Sequence, residues 1–191
     1  TAPTVSSISP TNNQSSVSST DNITVTFSEA MDTDYVTTNT DNTTCAGTIW
    51  VSSDNFSSCV RMSSEPVSSN SNMTFTLDPY DNLTVGTTYK TRVTTGVKDT
   101  AGNAMGSQYE STSGFTVADT TPPKNPIIII NDGDIATYSQ IVTLSLSSTD
   151  DVGVNGYYAS VTSTVPSCNL NTCEGWINVN SSNSYSDNVS F

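Results

Sequence analysis

Apolar residues alternate with Ser and Thr through much of this chain. Ile23, Val25 and Phe27 alternate with Thr24, Thr26 and Ser28. Met73, Phe75 and Leu77 alternate with Thr74, Thr76 and Asp78. Tyr89, Thr91 and Val93 fall on one side of TTYKTRVTT, with Lys90 and Arg92 on the other. A period of two is that of a strand with one buried and one wet face. Val5 and Ile8 mark a Pro-bounded edge strand, and TIWVSS (48–53), CVRMSS (59–64) and GFTVAD supply three more short strands. AMDTDYV fits a single helical turn crossing an end of the sheets. GVKDTAGN, between two strand patterns, reads as a hairpin turn, because Gly and Asn tolerate positive φ and Asp accepts from nearby backbone N–H groups.

About seven short strands separated by turns, with no convincing helix, predict an immunoglobulin-like β-sandwich of about 115–120 residues. ADTTPP follows, and two prolines after a strand stop the ladder and stiffen the chain. A second β pattern begins at once with NPIIIINDGD, SQIVTLSLSSTDDVGV, NGYYASVTST, GWINVNSS and SYSDNVSF. It reads as about five strands and stops within a strand pattern at Phe191. The expected fold class is therefore all-β, with two tandem immunoglobulin-like β-sandwiches. Residues 1–118 form the first, 119–125 a Pro-rich linker, and 126–191 the second, which lacks its last strands.

Only 34% of residues are apolar, which suits thin sandwich cores, and only 12% are charged, so disorder from high charge is not indicated. The net charge of −13, from 18 acidic and 5 basic residues, argues against nucleic acid and against an anionic membrane surface. It permits divalent cations, and it equally suits a solubilising surface. PIIII at 126–130 is too short to cross a bilayer, and no signal peptide is visible.

Cys45, Cys59, Cys168 and Cys173 form two local pairs, with no CxxC spacing and no His anywhere in the chain. Disulfides Cys45–Cys59 and Cys168–Cys173 are expected, and with them an oxidising, extracellular compartment. Without His there is no Ser-His-Asp triad and no Cys-His pair, so an enzyme is not expected.

Calcium is the cofactor these residues suggest, with Asp99 in KDTAGN, Asp119 in ADTTPP, and Asp150 and Asp151 in TDDVGV as candidate ligands. Strand-end loops meeting at a domain junction would gather them. The competing role for each is to cap a turn through backbone N–H groups. Glu29 and Asp32 in FSEAMD form a second acidic cluster, for which turn capping is the better reading. Asn13, Asn22, Asn42, Asn55, Asn72, Asn82, Asn180 and Asn188 each begin an N-x-Ser/Thr sequon, a motif that chance also supplies in a chain this rich in Ser, Thr and Asn. Trp50, Trp176, Tyr157 and Tyr158 fit either sheet packing or an aromatic platform for a sugar ring, packing being favoured for the tryptophans.

Three stretches carry a resemblance: SISPTNNQSSVSSTDNITVTFSEAMD, LTVGTTYKTRVTTGVKDTAGNAM, and DTTPP. Together they resemble the bacterial Ig-like domain found in S-layer proteins and large surface adhesins. The resemblance covers most of residues 1–121 and departs at Thr38–Ser71, which carries the Cys45/Cys59 pair and extra length. The second half looks like a weaker repeat of the same kind. The resemblance implies a non-enzymatic extracellular module of a bacterial cell-surface protein, a stalk, S-layer or filament component. Its expected partners are neighbouring Ig-like domains or subunits, with host-surface or matrix glycans as a further class. A filament subunit completed by a neighbour's strand, and a carbohydrate-binding module, are the alternatives.

Overall fold

The computed structural model describes residues 1–138, 141–158 and 176–190. The chain divides into two compact units, Thr1–Ala118 and Asp119–Phe191.

Unit 1 is a two-layer antiparallel sandwich. One sheet has the order β1 (Val5–Ser9), β2 (Ile23–Phe27), β5 (Thr74–Leu77), β4 (Val67–Ser69). The other places β6 (Thr88–Val93) between β3 (Ile49–Ser52) and β7 (Tyr109–Glu110), with β8 (Phe115–Thr116) also pairing β6. The alternation explains the layers. Ile23, Val25, Phe27, Phe75 and Leu77 from the first sheet meet Ile49, Val51, Tyr89, Val93 and Phe115 from the second in one core cluster. Phe27 packs edge-on against Phe75, with ring centroids 5.8 Å apart. On the wet face the same strands are joined by Thr26 and Thr74, whose hydroxyls lie 3.1 Å apart.

β7 and β8 both run antiparallel to β6, with a register offset between them, so they are one strand interrupted by a bulge. Asn12 Oδ1 accepts from the N–H groups of Ser113 and Gly114 at 3.1 and 2.9 Å and pins that bulge. Gly114 has φ +72°, and a Cβ there would fall 2.2 Å from the Tyr89 carbonyl oxygen, so only glycine fits.

One strand expectation in this unit is corrected. CVRMSS is not a strand: Cys59, Val60 and Met62 donate their N–H groups to Thr43, Val51 and Asn39, three separate partners rather than one ladder. The strand in this region is β4, whose Val67 is exposed. Its hairpin to β5 turns through Asn70, Ser71 and Asn72, all at positive φ. The expected single helical turn is present as a short 3-10 turn at Thr33–Tyr35, where Asp32 Oδ1 accepts from Asp34 N–H.

In unit 2 the described residues form a three-stranded antiparallel sheet of order β11 (Trp176–Ser190), β10 (Thr143–Tyr158), β9 (Lys124–Ile130). Lys124 and Asn125, read from the sequence as linker, open β9. The expected breaks within TDDVGVNGYY and NVNSSNSYSD are not there: β10 and β11 continue through them, with register shifts between Thr149, Val154 and Gly156. Among the described residues, Leu144, Leu146 and Val154 are the buried apolar residues of this sheet.

Candidate functional site

Three of the four expected cation ligands are brought together in unit 2. Ligand oxygens of Asp119, Asp150 and Asp151 all lie within 4.8 Å of one another. Two features of the chain gather them. The segment ahead of β9 carries Asp119, whose Oδ1 accepts from Thr121 N–H at 2.9 Å and from the Thr121 hydroxyl at 2.8 Å. The bulge in β10 carries the Asp pair, and Asp150 Oδ1 accepts from Val152 and Gly153 N–H at 3.0 and 2.9 Å. Gly153, at φ +146°, lets the bulge pass β11: a Cβ there would meet Ser181 Oγ at 2.3 Å. The expectation that Asp150 and Asp151 sit in a strand-end loop is thus corrected to a bulge inside β10.

Thr121 joins the two halves of the cluster. Its hydroxyl also lies 2.6 Å from Asp151 Oδ1. A hydroxyl has one proton, so it donates to only one of these two carboxylates at a time. Hydrogen bonding to Thr121 is the main cause holding the Asp151 carboxyl below the usual range, with the Lys124 charge contributing less. Oδ2 of Asp150 is shut off from solvent and has no hydrogen-bond partner among the described residues. Sequence reasoning had not singled out Thr121, although T-T-P-P beside an Asp is the signal that could have found it.

Asp99 does something else. It lies in unit 1, is 2% exposed, and has both carboxylate oxygens occupied. Oδ1 accepts from Ala101 and Asn103 N–H at 2.9 and 2.8 Å, and Oδ2 from the Asn103 side-chain amide at 2.7 Å. That side-chain bond is the first cause of its lowered pKa. The turn it organises is sewn to the FSEAMD segment: Asp32 N–H donates to Lys98 O at 2.9 Å, and Thr100 N–H to Ala30 O at 3.2 Å. The capping role, weighed against calcium from the sequence, engages both oxygens of this carboxylate. Glu29 accepts from the Thr1 hydroxyl at 3.1 Å.

Cys45 and Cys59 form a disulfide. Cys168 and Cys173 lie outside the described residues. Within the Cys45–Cys59 loop, Asp54 accepts from the Ser58 hydroxyl and N–H at 2.6 and 2.9 Å and from the Ser52 hydroxyl at 2.8 Å. These bonds, Ser58 first, hold its carboxyl at about 2. Because the folded value lies below the unfolded one of about 3.9, the linked stability is complete above about pH 4 and is lost as pH falls through about 2. A carboxyl-carbon NMR titration should place the Asp54 midpoint near 2 in the wild type. Ser58→Ala should move it upward, and an unmoved midpoint would show that Ser58 is not its cause.

Trp50 does not pack between the sheets as expected. Ile49 and Val51 take the core side of β3, and half-buried Trp50 takes the outer side. There its indole N–H donates to Gly47 O at 3.0 Å, and Phe56 and Arg92 lie at 6.4 and 5.6 Å from its ring. Arg92 is itself held by Glu110 at 2.7 Å. Tyr157 and Tyr158 lie in unit 2, where Tyr158 stands opposite Trp176 in the β10–β11 register.

The comparisons with known proteins bear on unit 1 above all. The family model described as "Bacterial Ig-like domain" matches residues 1–117. Among solved structures, the S-layer protein rSbsC(31-844) is 22% identical, with a TM-score of 0.43 over 79% of this chain and 18% of its own. A structure of surface layer protein SbsC, domains 1–6, is 18% identical, with a TM-score of 0.43 over 78% of this chain and 24% of its own. The N-terminal part of SbsC is 18% identical, with a TM-score of 0.44 over 78% of this chain and 40% of its own. The chain thus spans well under half the length of each. No curated protein matches the chain.

Proposed function

The chain belongs to the bacterial Ig-like domain family, and from that premise we propose that it is a non-enzymatic structural module of a bacterial cell-surface protein, built to be joined in series with others of its kind. The observation that carries this reading is the family match over the sandwich of residues 1–117, with a second compact β unit following from Asp119. Stiff sandwiches in tandem act as spacers, because each unit folds around its own core. The Cys45–Cys59 disulfide supports an oxidising, extracellular setting. Neighbouring Ig-like domains of the same protein are the partners this predicts. Protease shaving of intact source cells should release peptides from residues 1–118. Finding those peptides only after lysis would sink the cell-surface reading.

One observation favours a second reading, assembly by strand addition. Among the described residues β9 is an edge strand whose Ile127, Ile128, Ile129 and Ile130 are all exposed, Ile128 by 65%. A strand from a second copy would pair with that edge through its main chain and extend the sheet. The full chain should then sediment as a concentration-dependent oligomer that Ile128→Lys dissociates. A monomer at every concentration would leave the spacer reading alone.

A further inference from the structure

We propose that Asp119, Asp150 and Asp151 form a calcium site that clamps the entry of unit 2 to the bulge of β10. The inference deepens the spacer reading and rests on it for its purpose, but its chemistry stands on the residues themselves. Two oxygens bound to one calcium at about 2.4 Å lie at most about 4.8 Å apart, and hard divalent cations of this size take six to eight oxygens in flexible geometry. The three carboxylates meet that limit pairwise.

An acidic cluster alone would not suffice, since exposed carboxylates often gather without a ligand. The second observation is Asp150. Its carboxylate is buried, and while Oδ1 is taken by Val152 and Gly153 N–H, Oδ2 is enclosed with no partner among the described residues. A buried, unpaired carboxylate oxygen is costly unless a cation or donor completes it. The other two carboxylates, within reach of that group, supply negative charge rather than a proton donor. The Thr121 hydroxyl, between Asp119 and Asp151, adds a neutral oxygen on the same side. Three carboxylates and oxygen-only donors, with no Cys or His, select calcium over zinc or copper.

The consequence is local and mechanical. Asp119 and Thr121 belong to the segment that enters β9, and Asp150 and Asp151 to β10. A cation between them ties that segment to its own sheet. Where calcium is plentiful, outside the cell, the entry segment is stiff; where it is scarce, repulsion among three carboxylates loosens it.

The test uses the full 191-residue chain. Calorimetric titration with calcium chloride alone, after dialysis against chelator, should show binding in the range of extracellular modules, about 10⁻⁴–10⁻³ M. Millimolar calcium should raise the melting temperature of unit 2 and slow amide exchange at Val152 and Gly153, because the ligand binds only the folded state. Asp150→Asn and Asp151→Asn should abolish both effects, while Asp132→Asn, elsewhere in unit 2, should keep them. Thr121→Val, which leaves every carboxylate in place, should weaken binding without abolishing it and guards against a charge variant that fails to fold. No heat of binding, an unchanged shift in Asp150→Asn, or an equal response to magnesium alone would each overturn the assignment. None of these outcomes touches the shaving experiment, so the site and the surface reading fail separately.

Discussion

Phe75→Ala should cost unit 1 about 3–5 kcal/mol, the range for truncating a fully buried phenylalanine. Phe75 is 0% exposed and sits on β5, flanked by β2 and β4, so no neighbouring strand can slide in to close the hole. The cost has three parts: lost transfer of the ring from water, the cavity left between rigid ladders, and the edge contact to Phe27. Against a domain stability of about 5–15 kcal/mol this is a large fraction. The control is Thr74→Ala on the opposite face of the same strand. It removes one hydroxyl contact to Thr26 and should cost about 1 kcal/mol or less. Hydrogen exchange of the slowest amides in β2 and β5 reads both costs as changes in the global opening free energy. Equal effects for the two variants would mean that the sheets do not enclose one core.

That contrast between faces is also why so much of unit 1 was legible. β2, β5 and β6 each carry three or more alternating residues with one side buried, and a period of two says as much. Short strands without an apolar face left no such trace. β4 is Val-Ser-Ser with its Val exposed, and its existence depends on pairing with β5 and on three left-handed residues in the turn. CVRMSS, by contrast, has buried Cys59 and Met62 yet spreads its amides over three partners. Burial and strand pairing are different constraints, and only burial is written into the pattern. The same distinction explains Trp50: aromatic character suggested a core position, but the parity of β3 gives the core to Ile49 and Val51.

For the candidate site, residue types were legible and juxtaposition was not. KDTAGN contains its own explanation, because Asp99 binds groups two and four residues ahead, within reach of any local reading. Asp119 and Asp151 are joined through Thr121 across some thirty residues. Their meeting depends on where β9 pairs with β10 and on the bulge between Thr149 and Val154. A one-residue change in that register would turn the Asp pair to the other face. Asp-Asp beside Gly looks like a loop in sequence because those residues usually punctuate strands. Here they mark a bulge within one strand instead.

Replacing both Cys45 and Cys59 by Ser should lower the stability of unit 1 by about 3 kcal/mol. The chain-entropy model assigns about that much to closing a loop of roughly 15 residues. The sequence separation here is 14. The bond also holds a loop with few apolar anchors. Cys59 is buried, but Asn55 and Phe56 adopt positive φ, and Phe56 reaches the sheet only at its outer surface, against Arg92 and Trp50. Freed of the crosslink, that loop regains entropy in the unfolded chain, so the loss depends on what else holds it. The Asp54 network is the competitor, since its bonds to Ser52 and Ser58 are local and survive reduction. Urea unfolding monitored at Trp50 separates the two. A shift of the expected size in the double variant, reproduced in reduced wild type, assigns the loop to the disulfide. No shift in either would assign it to the Asp54 turn, and Asp54→Ala would then become the variant that releases it.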